Sequence, residues 1–254
     1  MKLSVCGKGG SGKSAIVTLL ANAARDRGYR VLVVDSDESN SGLHRMLGFD
    51  RAPVPLMQLV GGKAGLRQKM RQPEVLAQAE IWPREIPPEH MPERDGIALI
   101  AIGKILQSLE GCACPMGVLS REFLKKLRLK DKEIAIVDME AGVEHFGRGV
   151  ETSIDAVLVV VEPSLESVTL AERVNSLATG SGVMKTWAVL NKISSDAMAS
   201  KLERNLTERG IRVIGTVHND PDIFEACFES RPLGRSKAGE EIGKVLAFLL
   251  SGTD

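Results

Sequence analysis

The 254-residue sequence predicts an α/β fold, in which a mostly parallel, twisted sheet of about seven to eight strands carries helices on both faces. Three observations predict it: short β-branched runs alternate with segments of helical periodicity, several runs are apolar almost throughout, and a glycine-rich octet joins the first run to the first helical segment. Strands buried on both faces have such continuous apolar runs. Because this alternation implies right-handed crossovers, ligands are expected at the carboxyl ends of the strands.

Seven strands and six helices are predicted, the strands from β-branched apolar runs and the helices from apolar residues spaced three and four apart. The predicted strands are 3–6, 31–35, 97–102, 133–138, 156–162, 186–191 and 213–217. The predicted helices are 13–27, 116–129, 165–177, 196–209, 222–229 and 239–250. We expect these elements to form one domain spanning residues 1–254.

The segment near 50–95 interrupts the alternation and holds seven of the eleven prolines. We interpret it as an irregular insertion, with or without a small hairpin, rather than as a separate domain. Its expected role is to cover a site or to make an interface.

Composition argues against two classes of partner. The 33 basic and 33 acidic residues cancel, no basic tail stands out and only 4% of residues are aromatic, so no nucleic acid is expected. No apolar run approaches the length of a membrane span, and the first strand begins at once without a signal peptide, so no membrane is expected. We therefore expect a cytoplasmic protein, in which the four cysteines are thiols or metal ligands rather than disulfides.

Residues 7–14 read Gly-Lys-Gly-Gly-Ser-Gly-Lys-Ser and lie between a predicted strand and a predicted helix. This context favours a phosphate-binding loop over an ordinary turn, since glycines let backbone amides approach phosphate oxygens and the helix directs its positive end at them. Lys13 is predicted to reach the β- and γ-phosphates, and the Ser14 hydroxyl to bind Mg²⁺. The predicted nucleotide contacts are Gly9, Gly10, Ser11, Gly12, Lys13, Ser14 and Ala15.

Lys8 is a second lysine in this loop. The pattern Lys-Gly-Gly-x-Gly-Lys-Ser resembles the signature of the deviant Walker A ATPases, the family of nitrogenase iron protein, MinD and ParA. The resemblance implies a P-loop NTPase fold, Mg-dependent ATP hydrolysis, and a homodimer in which Lys8 crosses to the nucleotide of the other subunit. A cation supplied in this way stabilises charge on a transferring phosphoryl group.

Two aspartates end predicted strands or follow them. Asp138 closes the apolar run 133–138, which is typical of a Walker B strand whose carboxylate faces the metal-bound water or Ser14. Asp37 follows the strand 31–35, and an Asp at such a position also serves as a turn or helix cap. The family resemblance implies that Asp37 lies in the switch I loop and orients the attacking water. It also implies that residues 139–142 belong to the switch II loop, in which Gly142 allows the backbone to move.

The base is predicted to lie near Asn191 and Lys192, at the end of another strand. GTPases use Asn-Lys-x-Asp here, whereas the fourth position of this chain is Ser194, so the site favours adenine over guanine. The resemblance implies that Asn191 contacts the base and that Asn219 and Asp220 help to enclose it, although Asn-Asp-Pro is also an ordinary turn.

Cys112 and Cys114 form a Cys-x-Cys pair within the segment 111–115. Two thiolates give half of a four-ligand Zn²⁺ or Ni²⁺ site, so two chains related by a two-fold axis would complete one site. A redox pair or two small buried side chains are the alternatives.

The pair makes the chain similar to the CooC branch of the deviant Walker A family, the nickel-insertion ATPases of carbon monoxide dehydrogenase maturation. This resemblance implies a metallochaperone that dimerises with nucleotide or metal and delivers nickel to carbon monoxide dehydrogenase. The alternative is a positioning ATPase of the MinD/ParA kind, but the helix 239–250 has few cations and looks core-facing. An electron-transfer ATPase would need a cluster cysteine in 138–149, where the sequence has none.

Overall fold

The computed structural model describes residues 1–39, 42–104, 114–183 and 185–252. Its strands are β1 (Lys2–Gly7), β2 (Arg30–Asp35), β3 (Glu93–Arg94), β4 (Ile97–Ala101), β5 (Glu133–Asp138), β6 (Ala156–Val161), β7 (Thr186–Ile193) and β8 (Arg212–His218). They form one eight-stranded sheet in the order β3-β4-β2-β5-β1-β6-β7-β8. All neighbouring strands pair in parallel except β3 and β4. The predicted fold class is therefore confirmed.

The helices of the described ranges follow the predicted ones closely. They are α1 (Lys13–Asp26), α2 (Leu43–Met46), α3 (Gly62–Lys69), α4 (Cys114–Lys126), α5 (Glu144–Gly147), α6 (Leu165–Gly180), α7 (Asp196–Thr207), α8 (Pro221–Phe228) and α9 (Lys237–Ser251). The sequence prediction missed α2, α3, α5 and the two-residue strand β3. These elements have two to eight residues, which is too short for a periodic apolar pattern to stand out.

Apolar side chains alternate between the two faces of the sheet and build a core on each. On β2, Val31 and Val33 pack with α1 and α9, whereas Leu32 and Val34 pack on the face that carries α4 and α6. This double burial explains why the predicted strands are apolar almost throughout. It also leaves the ends of the strands as the place for polar side chains.

The segment 50–95 packs against α4. It contains a 3₁₀ helix (Leu56–Val60), α3, a second 3₁₀ turn (Pro83–Glu85) and β3. The Glu122 carboxylate of α4 accepts hydrogen bonds from the backbone amides of Val75 and Leu76, both at 2.8 Å. The buried Lys126 ammonium contacts the same Glu122 at 3.0 Å and Glu74 at 2.8 Å. Residues 74–76 of the insertion are thus tied to α4, whereas Met57 of the 3₁₀ helix donates its amide to the Ile102 carbonyl, directly after β4.

The final helix, α9, lies against α1 and β8. Its apolar residues Ile242, Val245, Leu246 and Leu249 are buried in the core. The expectation of a core-facing helix is met. Among the described residues, no helix combines the length and hydropathy that crossing a bilayer requires.

Candidate functional site: a phosphate loop between two charge clusters

The phosphate loop joins the end of β1 to the start of α1, at the carboxyl edge of the sheet. Gly10 and Gly12 have φ angles of 79° and 93°, in the left-handed region that favours glycine. Gly12 is also the N-cap of α1 and provides no side-chain cap, so the first amides of the helix face the loop. A Cβ at Gly12 would lie 2.5 Å from the Asn191 Nδ2 atom. The loop therefore needs glycine both for its backbone and for the contact with β7.

The side chains predicted to contact nucleotide are arranged along this loop. Ser11 is fully buried and Lys13 is 7% exposed, whereas Gly9 and Gly10 are exposed at the tip. Ala15, in the first turn of α1, lines a cavity beside the loop.

Ser14 and Asp138 meet directly below the loop. The Ser14 hydroxyl donates a hydrogen bond of 2.6 Å to the Asp138 Oδ2 atom. Asp138 is fully buried, and burial raises the pKa of its carboxyl to about 7, with a further contribution from the Asp35 carboxylate. The hydrogen bond from Ser14 and the charge of Lys13 act in the opposite direction.

Asp35 is the neighbour of Asp138 across the sheet, since the two residues are register partners on β2 and β5. Burial raises the pKa of Asp35 to about 6, although a neighbouring cation partly offsets this increase. That cation is Lys104, whose Nζ atom lies 2.6 Å from the Asp35 Oδ2 atom. We call Asp35, Asp138 and Lys104 the buried cluster.

Asp37, which is predicted to orient the attacking water, borders the buried cluster. Its carboxylate accepts hydrogen bonds from the Ser39 amide at 2.9 Å and from the Ser39 hydroxyl at 2.6 Å. Its backbone carbonyl accepts one from Lys104 Nζ at 2.5 Å. Asp37 thus acts as a turn cap here, and Lys104 ties its backbone to Asp35.

Glu140, in the predicted switch II loop, lies beside Glu38, which follows Asp37. Glu38 is buried, and burial together with the neighbouring Glu140 carboxylate raises its pKa. Glu140 in turn forms an ion pair of 2.6 Å with Arg148. Gly142 has a φ of 92°, in the left-handed region that favours glycine.

A second charge cluster lies on the other side of the loop. Lys8 Nζ and Lys192 Nζ each lie 3.1 Å from one carboxylate oxygen of Glu162, directly after β6. Burial disfavours the charged carboxylate, but the two lysine hydrogen bonds outweigh burial and lower the pKa of Glu162. Lys192 also donates a hydrogen bond to the Gly10 carbonyl oxygen. We call Lys8, Glu162 and Lys192 the rim cluster, because both lysine side chains are more than a third exposed.

Asn191 lies between the loop and a cavity of about 250 Å³. Its amide Nδ2 atom donates a hydrogen bond of 2.8 Å to the Ser11 carbonyl oxygen, so Asn191 holds the loop as well as lining the cavity. Asn219 and Asp220 line the same cavity. The Asp220 carboxylate is the N-cap of α8 and accepts amides from Asp222 at 3.1 Å and Ala238 at 2.9 Å. Its side chain therefore has a structural role beside the predicted base site.

The donor set under the loop fits Mg²⁺. Within the described part of the chain, Asp35 and Asp138 each keep a buried carboxylate oxygen that has no hydrogen-bond partner. Together with the Ser14 hydroxyl, these are the hard oxygen ligands that Mg²⁺ prefers. An unpartnered buried carboxylate oxygen is costly, so a bound cation would relieve it.

The predicted thiolate site falls on residues of which little is described. Cys112 lies outside the described residues, and of Cys114 only the backbone is described, as the first residue of α4. Among the described residues no group of three or more His, Cys, Asp and Glu side chains has an arrangement that could hold a metal ion. The Cys-x-Cys site remains a prediction from sequence.

A protein-family model described as the CobQ/CobB/MinD/ParA nucleotide binding domain matches residues 3–233. The chain belongs to this family. The predicted ATPase is confirmed with it.

Relatives span nearly the whole chain. An uncharacterized ATP-binding protein of Methanocaldococcus jannaschii is 46% identical over 89% of this chain and 90% of its own length. The carbon monoxide dehydrogenase accessory protein CooC of Rhodospirillum rubrum is 32% identical over 94% of this chain and 93% of its own length. The solved structure of MinD from Pyrococcus horikoshii, complexed with Mg-ADP, has a TM-score of 0.71 at 17% identity and covers 99% of this chain and 97% of that chain. The last of these shows the fold alone.

The sequence prediction missed two residues of the site. Lys104 and Glu162 are distant in sequence from the residues they contact, and neither belongs to a motif of the family resemblance. The only local signal is position, because each follows or ends a buried strand at the edge where the loop lies.

Proposed function

We propose that this protein is an ATP-hydrolysing metallochaperone that dimerises with nucleotide or metal and delivers nickel to carbon monoxide dehydrogenase. The observation that carries the proposal is the similarity to CooC over nearly the full length of both chains. The Cys112–Cys114 pair of the sequence adds a ligand set for a thiolate-bound metal that two chains would complete.

The contacts of Lys104 support a link between nucleotide and metal. Lys104 is bonded to the Asp35 carboxylate and to the Asp37 carbonyl. In sequence it directly precedes the stretch 105–113, which leads to the cysteines and α4. A change in charge at the buried cluster would therefore act on Lys104, which begins the connection from the nucleotide site to the metal ligands.

The residues of the loop have distinct roles in the proposed hydrolysis. Ser14 and Asp138 would hold Mg²⁺, which supplies positive charge to the β- and γ-phosphates. Lys13 and the loop amides hold the phosphates, and Asp37, once released from its cap on Ser39, orients the water. Lys8 would leave Glu162 and bind the phosphates of the facing subunit, where it stabilises developing charge.

A positioning ATPase is the second candidate, since MinD structures share the fold over the whole chain. In this structure α9 packs on α1 and β8, so the apolar face of that helix is not available to lie on lipid.

Sedimentation with added Zn²⁺ or Ni²⁺ tests the proposal. The wild type should dimerise with one metal ion per two chains, even without nucleotide, and its metal affinity should fall as the pH is lowered toward about 6 because thiols must lose protons. The variant Cys112→Ala/Cys114→Ala should bind ATP as the wild type does yet lose metal-driven dimerisation.

The matched control is Cys6→Ala, which removes a buried thiol of β1 outside the proposed metal site. It should dimerise with metal as the wild type does. Unchanged metal-driven dimerisation of the double variant would contradict the proposed thiolate site.

A further inference from the structure

Ser120 is a polar residue on the buried side of α4. It is fully buried, as are its neighbours Leu119 and Phe123. Packing alone would favour alanine at this position, since alanine has the higher helix propensity and no hydroxyl to desolvate. The Ser120 hydroxyl shares a hydrogen bond with the Ser36 hydroxyl, at an oxygen-to-oxygen distance of 2.9 Å. This hydrogen bond between the helix and a loop of the nucleotide site accounts for a buried serine.

Ser36 lies between Asp35 and Asp37, directly after β2. Its amide donates a hydrogen bond of 2.9 Å to the Asp138 carbonyl oxygen. Ser36 is therefore bonded to Asp138 through its backbone and to α4 through its side chain. Asp35 and Asp138 supply the carboxylate oxygens that fit Mg²⁺, and Asp37 is predicted to orient the water. A shift of these carboxylates on nucleotide binding would therefore move Ser36 as well.

A second contact joins α4 to the predicted switch II loop. Arg148, which pairs with Glu140 at 2.6 Å, lies across Gly117 of α4, where a Cβ atom would overlap the Arg148 side chain. The Arg148 carbonyl oxygen accepts a hydrogen bond of 3.3 Å from the Arg121 Nη1 atom. Both loops beside the phosphate site thus contact α4 within residues 117–121.

The segment 35–37 also holds the chain on both sides of the stretch 105–113. Lys104, which precedes this stretch, is bonded to the Asp35 carboxylate and the Asp37 carbonyl. Ser120, on the helix that follows it, is bonded to Ser36. A change in the segment 35–37 would therefore act on both attachments of the stretch that contains Cys112.

We propose that Ser36 and Ser120 are positioning residues that couple the state of the nucleotide to α4 and so to the cysteine pair, with Arg148 as a second point of contact. The inference rests on the proposed function, since it names how ATP acts on the metal ligands. Helix α4 begins at Cys114, and Ser120 lies about 9 Å further along its axis. Because packed helices shift as units, a displacement at Ser120 would reach the first turn of α4.

Thiol labelling tests this coupling without metal. Cys112 and Cys114 are labelled with a chromogenic aromatic disulfide in a Cys6→Ala/Cys227→Ala background, which removes the buried thiol of β1 and the thiol that lines the base-side cavity. The labelling rate with a non-hydrolysable ATP analogue should differ from the rate with ADP by at least about fivefold. Ser120→Ala should reduce this ratio to about twofold or less while binding ATP as the background protein does. Rates are compared at protein concentrations at which the samples sediment alike.

A double-mutant cycle separates the hydrogen bond from packing. Ser36→Ala should reduce the ratio as much as Ser120→Ala, and the double variant no further, because each change removes the same hydrogen bond. Ser36→Thr keeps the hydroxyl and should keep the ratio. The matched control is Ser4→Ala, which removes a buried hydroxyl of β1 that has no hydrogen-bond partner among the described residues. It should leave the ratio unchanged.

Thermal unfolding of each variant shows that the fold is intact. Equal ratios in the background protein and in Ser120→Ala would overturn the coupling, as would labelling of the background protein at one rate with both nucleotides. Loss of ATP binding by Ser120→Ala would also overturn it, since the hydroxyl would then belong to the nucleotide site itself. Metal-driven dimerisation is measured separately, so failure of the coupling leaves the metallochaperone proposal standing. Failure of metal binding leaves the labelling result valid.

Discussion

The two charge clusters that flank the phosphate loop have opposite compositions. The buried cluster has two carboxylates and one ammonium, and its Asp138 is fully buried. The rim cluster has two ammoniums and one carboxylate, and its lysines are 38% and 46% exposed at the side chain. Excess negative charge in a dry site attracts a metal cation, whereas excess positive charge at an open rim attracts phosphate. The two clusters thus suit the two parts of a Mg–nucleotide complex, the buried cluster the cation and the rim cluster the phosphates.

The difference in burial shows which cluster is electrostatically destabilised before nucleotide binds. Burial raises the pKa of both Asp35 and Asp138, so the buried cluster is destabilised by its own charge at neutral pH. The rim cluster is screened by solvent and has its carboxylate fully paired. Substitutions in the first cluster should therefore change the stability of the protein and its pH dependence as well as catalysis, whereas substitutions in the second should act mainly on catalysis.

The largest effect is expected from Asp138→Asn. ATP hydrolysis should fall by at least about 100-fold, because the Mg²⁺ ligand is lost. The nucleotide-free protein should nevertheless become more stable, since the buried charge is removed. Turnover assays and chemical unfolding of the same preparation measure both effects.

The pH dependence of that stability has a defined sign. Folded Asp138 keeps its proton up to about pH 7, whereas its ordinary pKa is 3.8, so the folded state binds more protons between these values. Stability of the wild type therefore falls as pH rises through this window. The gain from Asp138→Asn should be on the order of 2 kcal/mol larger at pH 8 than at pH 5. Equal gains at both pH values would mean that burial does not raise this pKa.

Lys8→Ala tests the catalytic role of the rim cluster. This variant should bind ATP but hydrolyse it about 100-fold more slowly, because Lys8 is proposed to act on the nucleotide of the facing subunit. Mixing it with an Asp37→Ala chain should restore one competent site per heterodimer. Single-turnover assays of the mixture measure the rescue. Hydrolysis by Lys8→Ala at the wild-type rate would refute the role across the dimer.

Lys104→Met should have a smaller catalytic effect, about tenfold on turnover, because Lys104 positions Asp35 and the Asp37 backbone without touching phosphate. It should lower the unfolding free energy by about 3 kcal/mol at pH 8, since a buried carboxylate loses its cation. The loss should shrink at pH 5, where Asp35 takes up a proton. Lys104→Arg is the control that keeps the charge, and an equal loss in both variants would point to packing instead.

The smallest effect is expected for Asn191→Ala. It removes the hydrogen bond to the Ser11 carbonyl and one lining residue of the cavity, so KM for ATP should rise a few-fold with little change in kcat. The ratio of ATP turnover to GTP turnover should also decrease. Comparable turnover of both nucleotides by the wild type would contradict the prediction of an adenine site.

The fold and the loop were predictable because their signals are local. The apolar run that ends in Asp138 and the octet 7–14 are both short, continuous stretches of sequence. The predicted bounds of the strands and helices agree with the observed bounds within a few residues. Lys104 and Glu162 were not predictable in the same way. Lys104 meets Asp35 across 69 residues of chain, and only the pairing of β2 with β4 brings them together.

The insertion shows the same limit of sequence reasoning. Prolines indicated irregular structure, and the short helices of 56–69 were missed because they are held by tertiary contacts. Glu122 of α4 accepts hydrogen bonds from the amides of Val75 and Leu76, which lie 47 and 46 residues earlier in the chain. No periodic pattern within 50–95 encodes that contact.

Nickel release from the loaded dimer tests the central claim most directly, namely that hydrolysis at the buried cluster acts on the metal ligands. The protein is loaded with Ni²⁺, mixed with a chromogenic chelator, and given Mg-ATP or a non-hydrolysable ATP analogue. Release should follow the rate of hydrolysis with ATP and stay slow with the analogue. Equal release rates with both nucleotides would contradict the claim.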